Sequence, residues 1–342
     1  VSKGTPRRRR YVLWSVLGAM TVTGGVVGYA LATREEPPKC DRLMANDQVR
    51  KLLGNRYESG MGCAEFGTEL RAALTGKEPG RHTAEQARTM RAVVTEISQD
   101  VYERGEARIH KELRQPVAGA LADYAEDVYD VMNQHTLGDR GATDEVEDGR
   151  VRAALPRMAV GRTLLAVSED PAAHGLLFAA MAQRCAQQLA TVDRKKAEAV
   201  EADGQLAARA VVGFCGWAMG WILRSADEQE ARLDSDSSKL EAWNQVVVDT
   251  MTKPDRAVPP FNRSAAAHVF GTWKQDLAER PRDQDHDGHA KDLVTIWVSA
   301  LGFEEGHEVA NGLRREAMQS TRGGSDHLSY MAADCLNGKR TC

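Results

Sequence analysis

The chain has 342 residues, 42% of them hydrophobic, with 45 basic against 49 acidic side chains and a formal charge of −4. Lys3 and Arg7, Arg8, Arg9 and Arg10 place +5 in the first ten residues, which leaves −9 on everything after them. So acidic a remainder excludes nucleic acid as the main partner and makes an anionic surface a poor one, because both need clustered Lys and Arg.

Residues 1–10 read as a basic tail. Residues 11–32, Tyr11 to Ala32, carry no charge at all. About 20 apolar residues at 1.5 Å each cross a bilayer core, so this run is long enough to span. Basic residues flanking a span stay on the cytoplasmic side, which predicts the amino end inside and the rest outside. Tyr11, Trp14 and Tyr29 fall where interfacial rings belong. The competing reading is a cleaved export signal: Ala30-Leu31-Ala32 has the small-x-small form of a cleavage site, and Arg8 to Leu13 loosely resembles a twin-arginine signal. The run exceeds the 7–15 apolar residues of a signal core, which favours an anchor. Both readings export the same domain. Gly24, Gly28 and Ala32 share one helix face and predict self-association through close helix approach. Val1 in the place of an initiator, with abundant Arg and Ala, reads as a GC-rich bacterial frame.

Residues 33–39 form a short stalk stiffened by Pro37 and Pro38, and the body runs from 40 to 342. All six cysteines, Cys40, Cys63, Cys185, Cys215, Cys335 and Cys342, follow the uncharged run, and an even number outside the cell predicts disulfides. The pairing with the shortest loops is Cys40–Cys63, Cys185–Cys215 and Cys335–Cys342. For Cys185 and Cys215, in apolar surroundings, buried free thiols are the alternative. No C-x-x-C spacing supports a zinc or redox motif.

Within the body, Asp41–Leu53 and Cys63–Leu74 predict short helices around a turn holding Gly54, Gly60 and Gly62. Thr83, with Gln86 three residues on, opens a long helix through Met90, Val94, Ile97 and Val101, which Pro116 is expected to stop. Val117, Leu121, Tyr124, Val128 and Met132 continue the period in the next helix. Residues 138–149, acidic and glycine-containing, mark a candidate subdomain break or a large loop. Asp170-Pro171 caps a helix through Leu177, Met181, Cys185 and Leu189. Ala210 to Leu223 is uncharged but too short to span and is closed by Arg209 and Arg224, which predicts a central buried helix. Gly216 and Gly220 give it a smooth face, Trp217 and Trp221 a bulky one. Further apolar periods run through Leu240, Trp243, Val247 and Met251, through Val269, Phe270, Trp273 and Leu277, through Leu293 to Phe303, and through Val309, Leu313 and Met318. No period-two alternation suggests strands. The predicted fold is all-α: a single N-terminal transmembrane helix and a multi-helix extracytoplasmic domain.

Three patterns bear on chemistry. Asp283, Asp285 and Asp287 stand at positions 1, 3 and 5 of a calcium loop, Gly288 at 6, and His289 at 7 for its carbonyl; this resembles the calcium-loop family over about six residues, but position 12 is Val294 where a bidentate Glu belongs. Calcium is therefore the one cofactor the chain suggests. His307-Glu308-Val309-Ala310-Asn311 falls one ligand short of the zinc-protease helix. Asp123 with Asp127, and Glu126 with Asp130, lie one turn apart and read as exposed helix surface rather than paired acid and base. With a tail too small for a signalling module, the expectation is a membrane-anchored binding or scaffold protein of a bacterial cell envelope, docking a secretion, injection or other envelope assembly. The alternatives are an envelope hydrolase of unfamiliar type, or a secreted binding protein if the leader is cleaved.

Overall fold

A computed structural model describes residues 40–76, 78–133, 146–147, 150–200, 207–233, 236–253, 257–279 and 288–336. Residues 37–342 form one compact unit. The predicted span and its Gly24, Gly28 and Ala32 lie outside the described residues.

Asn46 splits the first helical segment in two. Its side chain accepts from the N–H groups of Gln48 and Val49, ending α1 (Asp41–Ala45) and capping α2 (Asp47–Leu53). Gly54 and Gly60, both at positive φ, turn the chain toward α3 (Cys63–Leu74). α4 (Ala84–Arg104) opens on the predicted reciprocal cap of Thr83 and Gln86. Its end differs from the prediction. Gly105, in the left-handed region, terminates α4, and Pro116 sits inside α5 (Lys111–Asp123). Tertiary packing explains the tolerance. Proline cannot donate to the carbonyl of Glu112, and Gly67 of α3 comes so close there that a Cβ on it would stand 3.0 Å from that oxygen and 3.0 Å from Cγ of Pro116.

Tyr124 breaks α5 from α6 (Ala125–Met132) and donates its buried hydroxyl to the Leu74 carbonyl. Of residues 138–149 only Val146 and Glu147 are described. They form β1 (Val146–Glu147), paired antiparallel with β2 (Arg150–Val151), a two-residue ladder in an otherwise helical fold. Helices on either side of this segment pack on one another, α4 against α7 (Arg157–Val167) and α5 against α8 (Pro171–Leu189).

α8 starts as predicted, with Asp170 accepting from the Ala173 N–H and Pro171 in the first helical position. It is the hub of the second half, touching α5, α6 and α10 (Arg209–Leu233) as well as α11 (Ser237–Met251), α12 (Ala265–Glu279) and α13 (His289–Ala300). α9 (Arg194–Glu198) is a single turn, and α14 (Glu308–Leu336) closes the fold. The most extensive helix pairing is α10 with α14. There the predicted smooth face is used: a Cβ on Gly216 would stand 2.5 Å from the Ala317 carbonyl, and one on Gly220 2.1 Å from that of Thr321. Gly324 answers from α14, at 2.1 Å from the Trp217 carbonyl. As predicted, α10 is a buried central helix, and no helix among the described residues is long and apolar enough to cross a membrane.

Candidate functional site

The chain enters the folded unit through a covalent clasp. Cys40, which caps α1, is bonded to Cys63, the first residue of α3, with their Cα atoms 5.9 Å apart. Gly60 and Gly62 bring the chain round to make this closure. Beside the bridge lies a groove of about 480 Å³, lined by both half-cystines, Met44, Met61, Tyr57 and Arg50 among others. Arg42 ties this edge to α4: Nη1 donates to Glu103 at 2.6 Å and Nε to Glu96 at 3.2 Å. The hydrogen bond from Arg42, with a second from Gln99, holds the Glu103 carboxyl down at about 2. Methionine and disulfide sulfur are polarisable surfaces that adapt to an apolar partner, and Arg50 and Tyr57 supply polar points on the wall.

The second expected disulfide is not formed. Cys185 of α8 and Cys215 of α10 are buried free thiols. Each sulfur lies 3.6–3.7 Å from the other residue's carbonyl oxygen, and the Tyr129 hydroxyl is 3.7 Å from Cys215 Sγ. The thiols thus serve the facing backbone, and burial pushes the Cys185 thiol well above its ordinary range, leaving it inert. Of the third expected pair, the backbone of Cys335 lies in α14. Its side chain and Cys342 fall outside the description.

Asp283, Asp285 and Asp287 also lie outside the described residues. His289 begins α13, its ring buried edge-on to Phe178 at 4.8 Å and Trp273 at 5.8 Å. No metal-holding group of His, Cys, Asp and Glu occurs among the described residues. His307 precedes α14 and sits against Phe303, and Asn311 accepts from Arg314 Nη1 at 3.0 Å.

Of the two carboxylate pairs, Asp123, Asp127 and Glu126 are not exposed surface, whereas the Asp130 side chain is 45% exposed and meets Arg152 at 3.2 Å. Asp123 Oδ2 lies 2.8 Å from His82 Nε2, its Oδ1 accepts from the Gly80 N–H, and the His82 ring stacks on Tyr124 at 3.5 Å. Burial lowers the His82 pKa, against the pull of Asp123. Asp127 accepts from the Ala153 N–H at 3.2 Å, and burial raises its carboxyl to about 6 despite Arg152. Glu126 meets both Arg152 and Arg184, at 3.1 and 2.8 Å. These acids pin distant segments onto α5 and α6, and their partners lie 26–58 residues away. One-turn spacing along a helix carries no sign of that.

A buried polar relay was also missed. His174 of α8 lies 3.1 Å from Ser168 Oγ, Ser168 donates to Ser225 at 3.0 Å, and Ser225 donates to the Ile222 carbonyl at 2.7 Å. That direction makes Nδ1 the protonated nitrogen of His174 and leaves Nε2 a bare lone pair among apolar neighbours, with Trp243 5.3 Å away. Complete burial holds His174 down at about 3, so the imidazole is neutral. A serine–histidine contact this deep orders the core. Its only sequence signal is a histidine on an apolar helix face.

Known proteins add no identity: no protein family, no curated protein and no solved structure matches the chain.

Proposed function

We propose that this chain is a single-pass, membrane-anchored binding or scaffold protein of a bacterial cell envelope. Residues 1–10 lie in the cytoplasm, 11–32 in the membrane, and the helical body outside, where it docks an envelope assembly. The observation that carries the reading is the Cys40–Cys63 bridge, which clamps the start of the body eight residues beyond the uncharged run. A bridge between α1 and α3 suits an oxidising compartment. The groove beside it is lined by sulfur-bearing Met44, Met61 and the two half-cystines together with the polar Asp41, Arg50 and Tyr57, a mixed wall suited to docking. In this reading the Asp283–Asp287 segment is where calcium would bind. A melting temperature unchanged between millimolar calcium and chelator removes that ion from the reading.

The test uses the full-length tagged protein in cells. It is expected in the membrane fraction after alkaline carbonate washing, with the body cut by protease added outside spheroplasts. Cys40 and Cys63 are expected to resist maleimide in denaturant until a reductant is added, while Cys185 and Cys215 react at once. A soluble form beginning near Thr33 replaces the anchor with a secreted binding protein. A body shielded from protease, with Cys40 and Cys63 reactive, overturns the reading.

A further inference from the structure

Arg162 of α7 is the only lysine or arginine among the buried described residues, at 8% exposure. Several half-buried arginines meet carboxylates: Arg42 with Glu96, Arg114 with Glu169, Arg152 and Arg184 with Glu126, Arg224 with Glu228. Arg162 has one hydrogen bond, from Nη1 to the Ser98 hydroxyl at 3.0 Å, and the Tyr102 ring 5.0 Å from its guanidinium carbon. Nε and Nη2 have no partner. These two nitrogens share one edge of the guanidinium, the edge that grips a carboxylate or phosphate through two parallel bonds. A charge removed from water without a counter-ion is costly, and a ring face offsets only a small part of that cost.

Among the described residues the surroundings explain why no nearby acid fills the place. Ser98 and Tyr102 stand one turn apart on the α4 face toward α7. Asp100 and Glu103 occupy other faces and are taken by Arg104 and Arg42. Burial lowers the pKa of Arg162, and Tyr102 alone opposes it. The cover is thin. Tyr102 is 37% exposed and lies in the last turn of α4, where its carbonyl accepts from Gly105, the left-handed residue that ends the helix. The guanidinium carbon lies over this ring, 5.0 Å from its centroid, so Tyr102 is the half-exposed side chain next to the unpaired nitrogens.

We propose that the Nε–Nη2 edge of Arg162 is a receptor for a small oxyanion, a phosphate or carboxylate group, with Tyr102 as its lid. The site stands on α4 and α7, apart from the groove beside Cys40, and is independent of the membrane reading.

The test follows thermal unfolding of the full-length protein in inorganic phosphate against sodium chloride at matched ionic strength. A melting temperature that rises and saturates with phosphate is expected, with acetate acting in the same direction. Arg162→Lys keeps the charge but loses the fork, and should raise the half-saturating phosphate concentration about tenfold or more. Should that variant fail to fold, Tyr102→Ala leaves the receptor intact and uncovered, and is expected to lower the half-saturating concentration several-fold. A phosphate effect no larger than that of chloride, or equal in wild type and Arg162→Lys, or unmoved by Tyr102→Ala, overturns the assignment.

Discussion

Where α10 crosses α14 backbone meets backbone, and where α11, α12 and α13 close over α8 ring meets ring. At the first crossing Gly216, Gly220 and Gly324 leave room for opposing carbonyls. At the second, Trp273 stacks with Phe178 and Phe270, while Trp243 lies on His174. One contact exists because atoms are missing and the other because they fill space. The two should therefore fail in opposite ways, one on gaining a methyl group and the other on losing a ring.

The largest effect is expected in the aromatic cluster. Trp273 is fully buried. Trp273→Ala should lose about 3–5 kcal/mol of unfolding free energy in a denaturant titration, through lost transfer energy and a cavity the neighbours cannot close. At the glycine seam Gly220→Ala sets a methyl group 2.1 Å from the Thr321 carbonyl, and backbone cannot step aside as a side chain does. A loss of roughly 2–3 kcal/mol is expected. Gly213→Ala, on the same helix, meets only the ends of Glu316 and Ser320 at 3.4 Å. That change should be neutral, or gain up to about 1 kcal/mol from helix propensity. Equal losses at positions 213 and 220 would show that the seam does not depend on backbone approach.

Two buried groups carry opposite pH dependences. His174, depressed to about 3 from 6.5, contributes stability that is complete above pH 6.5 and drains away as pH falls toward 3. Between those limits the unfolded chain binds more protons, so stability rises with pH by up to about 1.4 kcal/mol per unit from this group. His174→Gln should remove that slope, measured as the difference from wild type across buffered titrations. Asp127 acts in the opposite sense. Raised to about 6 from 3.8, it binds its proton more tightly when folded, so its contribution is present below pH 3.8 and is lost as pH rises through 6. Asp127→Asn should steepen the wild-type rise between pH 4 and 6, a narrower window than that of His174.

Features whose partners are close in sequence could be read directly. The Thr83–Gln86 cap, the Asp170-Pro171 start and the Cys40–Cys63 bridge each join residues 3, 1 and 23 positions apart, and each is present. The smooth face of Gly216 and Gly220 was legible too, because glycine at helical spacing has few uses except close approach. Pro116 misled because a proline reads as a stop unless a neighbouring helix accommodates it. Asp123 and Asp127 misled because a carboxylate shows its charge in sequence but not its partner. Cys185 and Cys215 lie near each other, yet their helices direct each thiol past the other to a carbonyl.

By itself, the sequence determined that the body is helical, where most helices begin, and that an uncharged run precedes it, since these depend on periodicity and on residues a few positions apart. Only the tertiary structure decided which acids are anchors, which cysteines remain thiols, that His174 is neutral, and that Arg162 is buried without a counter-ion among the described residues. Those properties depend on burial and on partners tens of residues away, and both exist only once the helices have met.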